Sequence, residues 1–384
     1  MGPLQGFKVV EIAGIGPASV AGMMLVDLGA EVILVERKTF NPNTVSIDPT
    51  FMGSAAFFKR GKRSIALDLK KSESIELVLA LVSKADMLIE GFRPGVMERL
   101  GLGPEICFEH NASLVYGRMT GWGQDGPLAQ VAGHDLNYAS ISGALHYCGM
   151  PGDAPFPTAT VIGDVAGGSL HLALGMVSAL LHAQRSGEGQ VVDAAICDGA
   201  AYMMTLFASI REQGTIGDVR GEDFFTGGSH FCNTYLCADN RYVTVEALEP
   251  DFYRELITLC GFADDVDFAE QHKKASWPAA KEKMTRLFAS KTQAEWCDLL
   301  EGTDACFAPV LSLNEAAAHP HNKARRNFQE LDGIIQPAPA PKFSKTPPQM
   351  GSVPALGQHG HEIMQEIGFP SDKIVALMDD ELTC

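Results

Sequence analysis

The sequence has few basic residues and no long apolar run. Its 384 residues include 30 lysines and arginines against 47 aspartates and glutamates, and the formal net charge is −17. Such an acidic surface argues against nucleic acid as a partner. No apolar run reaches about 18 residues, so the sequence predicts no membrane span. The first residues lack the charged and then apolar layout of a signal peptide, and we expect a cytoplasmic protein.

Closely spaced cysteine pairs are also missing. The nine cysteines are scattered along the chain, and none forms a Cys-x-x-Cys pair. Most of them lie in apolar runs, which is typical of reduced, buried thiols rather than of disulfides or zinc ligands. His319 and His321 have the side chains of metal ligands, but no third ligand can be assigned near them. The sequence therefore predicts no metal site.

Strand-like and helical patterns alternate through the first half of the chain. Residues 7–12 form an apolar strand pattern, residues 18–28 a helical one and residues 31–36 a second strand, which together predict a βαβ unit. The alternation continues to a strand at 190–196. Strands that alternate with helices imply a mostly parallel sheet covered on both faces, so we expect an α/β protein with a Rossmann-like large domain.

Two changes of composition suggest domain boundaries. Residues 213–230 are rich in glycine and polar side chains, and residues 336–348 are rich in proline. We expect a large domain that begins with residues 1–200, a linker at 201–230 and a small α+β domain at 231–320. Residues 321–384 would then return to the large domain and complete it.

A glycine-containing turn after the first strand resembles a dinucleotide-binding turn. Gly14 and Gly16 precede a helix, and Glu36 ends the next strand, where a ribose-binding acid would lie. The third glycine of that pattern is absent, however, and Pro17 removes one amide from the start of the helix. A nicotinamide-dependent dehydrogenase is therefore an alternative with weak support.

Basic residues recur near the strand boundaries of this region. They could be a binding site for a polyphosphate ligand, or they could be the solvated charges that are common at turns and helix ends. The residues are Arg37, Lys59, Arg60, Lys62, Arg63, Lys70, Lys71, Arg93 and Arg99.

A series of short motifs follows in order along almost the whole chain. It includes Arg60-Gly61-Lys62-Arg63-Ser64, Gly91-Phe92-Arg93-Pro94-Gly95, Gly133-His134-Asp135, Gly163-Asp164 and Leu248-Glu249-Pro250. In this order and spacing the motifs resemble the family III CoA-transferase superfamily of the CaiB/BaiF type. Within that superfamily the resemblance is closest to the α-methylacyl-CoA racemases.

The resemblance implies an interlocked homodimer with an acyl-CoA thioester as substrate. Each site would lie between the large domain of one subunit and the small domain of the other. The residues implied in CoA binding are Arg37, Leu67, Lys70, Arg93 and Arg99, with Gly133, Asn137 and Tyr138 beside the thioester. CoA would be part of the substrate, and no separate cofactor is expected.

Racemisation next to a thioester requires two acid/base groups on opposite faces of a planar enolate. The residues that match the racemases are His134 and Asp164. Histidine exchanges protons near neutral pH, and a carboxyl group can do so when partial burial raises its pKa. Asp164 is expected to begin a helix, with free amides at Gly167 and Gly168 that could stabilise an oxyanion. Further residues implied at the site are Glu249, as the partner of His134, and Asp135, as a weaker helper.

Two other functions remain open. A family III CoA-transferase would use Asp164 as a nucleophile that forms an anhydride and then a CoA thioester, and would not need His134. A protein that only binds acyl-CoA would use neither residue chemically. His134 favours the racemase or epimerase reaction.

One stretch departs from the racemase pattern. The racemases usually carry Asp-Gly-Gly-Ala-Pro-aromatic-Tyr before the first strand of the small domain, whereas this chain has Thr226-Gly227-Gly228-Ser229-His230-Phe231-Cys232. His230 could make a polar contact in the acyl pocket or lie in a surface turn. The departure leaves the identity of the acyl group open.

Overall fold

The computed structural model describes residues 2–14, 16–38, 52–370 and 374. The chain divides into two compact units. Unit 1 consists of Met1–Ser142, Ala159–Met203 and Lys323–Cys384, and unit 2 consists of Gly143–Thr158 and Met204–Asn322.

A six-stranded parallel sheet forms the centre of unit 1. Its strands follow the order β3-β2-β1-β4-β5-β6 across the sheet, and each neighbouring pair is parallel. This order confirms the expected Rossmann-like α/β fold. The strands are β1 (Lys8–Ile12), β2 (Glu31–Arg37), β3 (Arg63–Leu67), β4 (Met87–Glu90), β5 (Val115–Thr120) and β6 (Gln190–Ala195).

Helices cover both faces of this sheet, and a β-hairpin follows later in the chain. Among the described residues, the α- and π-helices of unit 1 are α1 (Pro17–Asp27), α2 (Ser72–Val82), α3 (Val96–Arg99), α4 (Pro104–His110), α5 (Asp135–Ile141), a π-helix (Val161–Leu170), α6 (His171–Ser186), α7 (Ile196–Met203) and α14 (Gly360–Glu366). The hairpin consists of β10 (Phe328–Leu331) and β11 (Ile334–Pro337).

Alternation of side chains along β1 separates two apolar cores. Val10 and Ile12 pack into one cluster with α2 and α14, while Val9 packs into another with α1 and α6. Successive side chains of a strand point to opposite faces, so a strand that is apolar throughout is buried on both sides. The continuous apolar runs of the sequence therefore have a direct structural cause.

The π-helix and α6 form one helical run, Val161–Ser186, in the middle of unit 1. By length and composition alone the run could cross a membrane, since an 18-residue window within it has a mean hydropathy of 1.4, although the sequence predicted no such segment. Leu172 and Met176 are fully buried and pack against Gly117 of β5, where an added Cβ would lie 2.5 Å from the Met176 sulfur. This packing is that of a core helix in a globular protein.

Unit 2 is an α+β unit around a three-stranded antiparallel sheet. The strands are β7 (Cys232–Leu236), β8 (Tyr242–Glu246) and β9 (Phe307–Pro309). Tyr235 of β7 and Phe231, which directly precedes this strand, belong to the same apolar core as Trp296. The helices are α8 (Thr205–Glu212), α9 (Pro250–Leu259), α10 (Trp277–Phe288), α11 (Gln293–Leu300) and α12 (Leu313–Ala318), and α13 (Pro320–Arg325) crosses the boundary to unit 1.

The boundaries of unit 2 differ from those expected. The segment treated as a linker, 201–230, contains helix α8, and residues 143–158 join unit 2 although they precede the π-helix of unit 1. Composition carried a signal for this second crossing that the expected boundaries did not use, because residues 143–158 contain three glycines and three prolines.

Candidate active site

Several candidate site residues of unit 1 follow the carboxyl ends of the strands of the parallel sheet. Strands β1 and β4 are neighbours at the centre of the sheet. After β1 the chain continues to β2 and β3 on one side of this pair, and after β4 it continues to β5 and β6 on the other. Ligands of such sheets bind in the crevice at this switch point. Gly16 follows β1, Arg93 follows β4 and Trp122 follows β5, so the turns that contain them meet at this edge.

A cavity of about 200 Å³ opens between the turns after β4 and β5 and the start of α5. It brings together four residues that the sequence assigned to the site. They are Arg93, Gly133, His134 and Tyr138.

His134 stands immediately before α5 and is exposed. Its backbone is extended, with φ −136° and ψ 176°, and its amide N–H donates to the Asn137 side-chain oxygen at 3.0 Å. Asn137 therefore fixes the start of the helix and, with it, the position of His134. A direct role for Asn137 beside a thioester stays a prediction.

Tyr138 forms a wall of the cavity. Its hydroxyl donates to the carbonyl oxygen of Gly133, and its ring meets Trp122 edge to face with centroids 4.7 Å apart. A Cβ on Gly121 would lie 2.0 Å from the Tyr138 ring, so only glycine fits there. Burial, with a contribution from Asp164, raises the pKa of Tyr138 to about 12, which keeps the phenol neutral.

Asp164 lies inside the π-helix and not at its start. The helix begins at Val161, and Thr160 is the N-cap residue. The expectation that Asp164 begins a helix is therefore wrong. Gly167 and Gly168 lie beyond the first turn, where amides bond within the helix. Their lack of a side chain serves packing, because a Cβ on Gly167 would lie 2.8 Å from backbone atoms of α7.

Asp135 connects α5 to the π-helix. Its Oδ1 accepts a hydrogen bond from the Asp164 amide at 2.8 Å, and the Asp135 side chain is buried. A Cβ on Gly163 would lie 2.4 Å from the same oxygen. The motif Gly163-Asp164 therefore exists in part because the helix must approach Asp135 closely. The sequence predicted Asp135 only as a weaker helper and did not predict its hydrogen bond to the Asp164 amide.

The Asp164 carboxyl group has an environment suited to proton exchange. Its pKa is raised to about 6, first by burial and then by the negative charge of Asp135, while His134 opposes the shift. Oδ2 of Asp164 lies 3.9 Å from where a Cβ on Gly16 would stand. An imidazole and a partly protonated carboxyl group are thus electrostatically coupled at the switch point, where they can act as an acid/base pair.

The remaining residues implied in CoA binding lie along the same edge of unit 1. Arg37 ends β2 and is exposed, Lys70 is exposed in the turn before α2, and Arg99 is exposed at the end of α3. Leu67 ends β3 beside Arg37 and is only 1% exposed as a whole residue, so it offers a ligand almost no surface. Their contact with CoA stays a prediction.

Three of the basic residues considered as a phosphate site are buried ion-pair partners. Lys59 pairs with Glu36 at 2.8 Å, Arg60 with Asp27 at 2.5 Å and Lys62 with Glu11 at 2.7 Å. These three therefore hold α1, β1 and β2 to the segment before β3, and they do not face a ligand. Since Glu36 also accepts a hydrogen bond from Ser64, the carboxylate that a nucleotide ribose would need is engaged. This removes the main support for a dehydrogenase.

Glu249 and His230 belong to unit 2. Glu249 is exposed as the N-cap residue of α9, and its pairing with His134 stays a prediction. His230 is fully buried, with Nε2 2.8 Å from the Tyr253 hydroxyl. Both interpretations of His230, as a polar contact in an acyl pocket and as a surface turn residue, are wrong because the side chain is buried in the core of unit 2.

The described residues contain no group of three or more His, Cys, Asp or Glu side chains that could hold a metal ion. His319 instead contacts Glu301 at 2.8 Å. His134 and Asp164 are the two side chains at the switch point whose electrostatic coupling suits proton exchange.

Comparison with known proteins agrees with this α/β architecture. The family model described as CoA-transferase family III matches residues 4–360. The chain belongs to this family. It is similar to α-methylacyl-CoA racemase of Mus musculus, with 40% identity over 99% of this chain and 97% of that protein. Identity to the Homo sapiens protein of the same name is 39%, with the same coverage.

The solved structures include a similar protein. The crystal structure of a CaiB/BaiF family protein from Brucella suis has a TM-score of 0.80 and 27% identity to this chain. The match covers 95% of this chain and 99% of that protein.

Proposed function

We propose that the protein is a racemase or epimerase of 2-methylacyl-CoA thioesters. The observation that carries the proposal is the electrostatic coupling of Asp164 to His134, with the pKa of Asp164 raised to about 6. Identity of about 40% to α-methylacyl-CoA racemases over nearly the whole chain supports it.

The reaction is a two-base proton transfer. One of the two residues removes the proton from the carbon next to the thioester carbonyl, and the electron pair moves into an enolate. The other residue returns a proton to the opposite face, which inverts the centre without net change of composition. A carboxyl group with a pKa near 6 can perform either role at neutral pH, because both protonation states are accessible.

The same environment disfavours the reaction of a CoA-transferase. A nucleophilic carboxylate must be ionised to attack an acyl-CoA, and burial beside the negative Asp135 works against that ionisation. CoA transfer through Asp164 is nevertheless the second candidate, because the family model that matches the chain is described as CoA-transferase family III. In both reactions CoA enters as part of the substrate and no additional cofactor takes part.

A chiral 2-methylacyl-CoA incubated in heavy water tests the proposal. We expect the α-hydrogen to be replaced by deuterium and the centre to be inverted with no acceptor acid present. Proton NMR measures the exchange, and chiral chromatography of the released acid measures the inversion. Transfer of CoA to an added carboxylic acid, with the α-hydrogen retained, would instead establish the transferase. Neither reaction, with acyl-CoA binding retained, would identify a binding protein.

We further propose that two copies of the chain form an interlocked homodimer. The outer face of the helical run Val161–Ser186 supports this, since Leu170, at the end of the π-helix, and Leu174 and Leu181, on α6, are 51%, 64% and 53% exposed. Their spacing places them on one face of the helix, and such an apolar stripe is typical of an interface. In this arrangement Glu249 of one copy completes the site that contains His134 of the other.

A further inference from the structure

The segment between β4 and α3 forms one side of the cavity that contains His134. Gly91, Phe92, Arg93 and Pro94 all line that cavity. Helix α3 follows directly and ends at the exposed Arg99. A turn followed by a helix of four residues has little stability of its own. The position of both arginines therefore depends on what holds the two ends of this segment.

Glu90 holds the first end. It is the last residue of β4 and is fully buried. Its Oε2 accepts a hydrogen bond from the Phe92 amide at 2.7 Å, and its Oε1 accepts one from Nε of Arg118 at 3.0 Å. The pKa of Glu90 is raised to about 7 by burial, against which Arg118 favours the charged form.

The same guanidinium also holds the second end. Nη1 of Arg118 donates to Oε1 of Glu98 at 2.8 Å, and Nη2 donates to Oε2 at 3.3 Å. Arg118 lies on β5 and is 7% exposed, so it is anchored in the sheet. Such a two-pronged contact restricts both distance and orientation. Glu98, on α3, is thereby connected to the start of the segment through a single side chain.

We propose that Arg118, with Glu90 and Glu98, is a positioning residue that fixes Arg93 and Arg99 for the phosphate groups of a CoA thioester. This inference rests on the proposed use of CoA thioesters as substrates. Arg118 acts through the arginines and has no role in proton transfer. Loss of the contact should therefore weaken binding of the nucleotide part of the substrate and leave the chemical step unchanged.

Glu98→Ala tests the inference, because Glu98 is at the surface and its loss leaves the buried Glu90–Arg118 pair in place. Glu98→Gln, which keeps one acceptor oxygen, should give a smaller effect. Glu282→Ala is the control, since it removes an exposed ion pair with Arg286 on α10 of unit 2. For Glu98→Ala we expect KM for a 2-methylacyl-CoA, and Kd for free CoA by calorimetry, to rise about tenfold with kcat unchanged.

A thioester of pantetheine provides the decisive comparison, because it keeps the acyl group and lacks the nucleotide phosphates. We expect kcat/KM of Glu98→Ala to fall with the CoA ester and to stay at the wild-type value with the pantetheine ester. An equal fall with both esters, or unchanged CoA affinity with a lower unfolding temperature, would show that the contact is only structural. CoA binding by calorimetry needs no turnover, so the inference and the proposed reaction can fail separately. Wild-type protein that binds no CoA would overturn the inference.

Discussion

The amide of Asp164 donates a hydrogen bond of 2.8 Å to Oδ1 of Asp135, the residue that follows His134. This bond joins the π-helix to the start of α5, and it places a second negative charge beside the Asp164 carboxyl group. Asp135 thereby has two effects that can be separated by experiment. Its side-chain oxygen accepts the hydrogen bond that positions Asp164, and its negative charge raises the pKa of Asp164.

Asp135→Asn separates these effects because an asparagine oxygen can still accept the amide bond. Without the negative charge, the pKa of Asp164 should fall. Two-base exchange needs Asp164 as a carboxylate when it removes the proton, so protonation of this carboxylate at low pH stops the reaction. We therefore expect the acid limb of the kcat/KM profile for α-hydrogen exchange to shift to lower pH. A profile that stays in place would show that Asp135 does not tune the pair.

Each member of the pair should be indispensable for inversion. His134→Ala and Asp164→Asn each remove one group that exchanges protons, and we expect racemisation to fall by roughly 10²- to 10⁴-fold. Calorimetry should show that CoA-ester binding survives. His321→Ala, at an exposed histidine of α13, is the control and should keep full activity. Racemisation at the wild-type rate in either variant would remove that residue from the mechanism.

Much of the unit 1 fold could be predicted because its signals are local. Each strand is an apolar run such as residues 31–36, and its burial on both faces follows from alternation along the strand itself. The convergence of His134 and Asp164 at one edge could be inferred only through the resemblance. Their contact runs through Asp135, which is 29 residues from Asp164 in the sequence, and no local pattern encodes such a distance.

The errors about the basic residues and about His230 share one physical cause. Lys59, Arg60 and Lys62 look like a solvated or ligand-binding cluster because their acidic partners come from distant parts of the chain. His230 looks like a loop residue for the same reason, since Tyr253, which buries it, lies 23 residues away. Burial of a polar group depends on its tertiary partners, and one sequence does not reveal them.

The shared site of the proposed dimer predicts complementation between two inactive chains. His134→Ala and Glu249→Ala should each lose activity as homodimers. In a heterodimer of the two, one site would combine the intact His134 of one chain with the intact Glu249 of the other. We expect tagged and purified heterodimers to recover about half of the wild-type activity. If Glu249 acted within its own chain, the heterodimer would stay inactive.

The apolar face of α6 predicts where the dimer can be weakened. Leu174→Glu places a charge in the middle of the exposed leucine stripe, where burial against a second copy would be costly. We expect a lower molar mass by light scattering after size exclusion, together with reduced racemisation. Leu313→Glu is the matched control, because Leu313 is 76% exposed on α12 and lies outside this stripe. Dimers that persist in Leu174→Glu would exclude this face as the main contact.

His230 predicts a pH dependence of the stability of unit 2. The Tyr253 hydroxyl donates to the carbonyl oxygen of Phe268, so it must accept from Nε2–H of a neutral His230. Nδ1 of His230 has no hydrogen-bond partner among the described residues, and burial lowers the pKa of the ring from its ordinary 6.5 to about 4. Between pH 4 and pH 6.5, His230 is therefore protonated in the unfolded chain and neutral in the folded chain.

Neutral His230 contributes its full share to the free energy of unfolding above pH 6.5, and this contribution is lost as the pH falls toward 4. The loss from this residue should reach about 3 kcal/mol at pH 4. His230→Gln cannot titrate and should lose less stability over this range, although its stability at pH 7.5 should be lower. Urea unfolding followed by tryptophan fluorescence measures the difference, because Trp277 and Trp296 both belong to the core of unit 2. Parallel pH dependences for the wild type and His230→Gln would mean that the buried ring accepts its proton without unfolding, through a neighbour or water that reaches Nδ1.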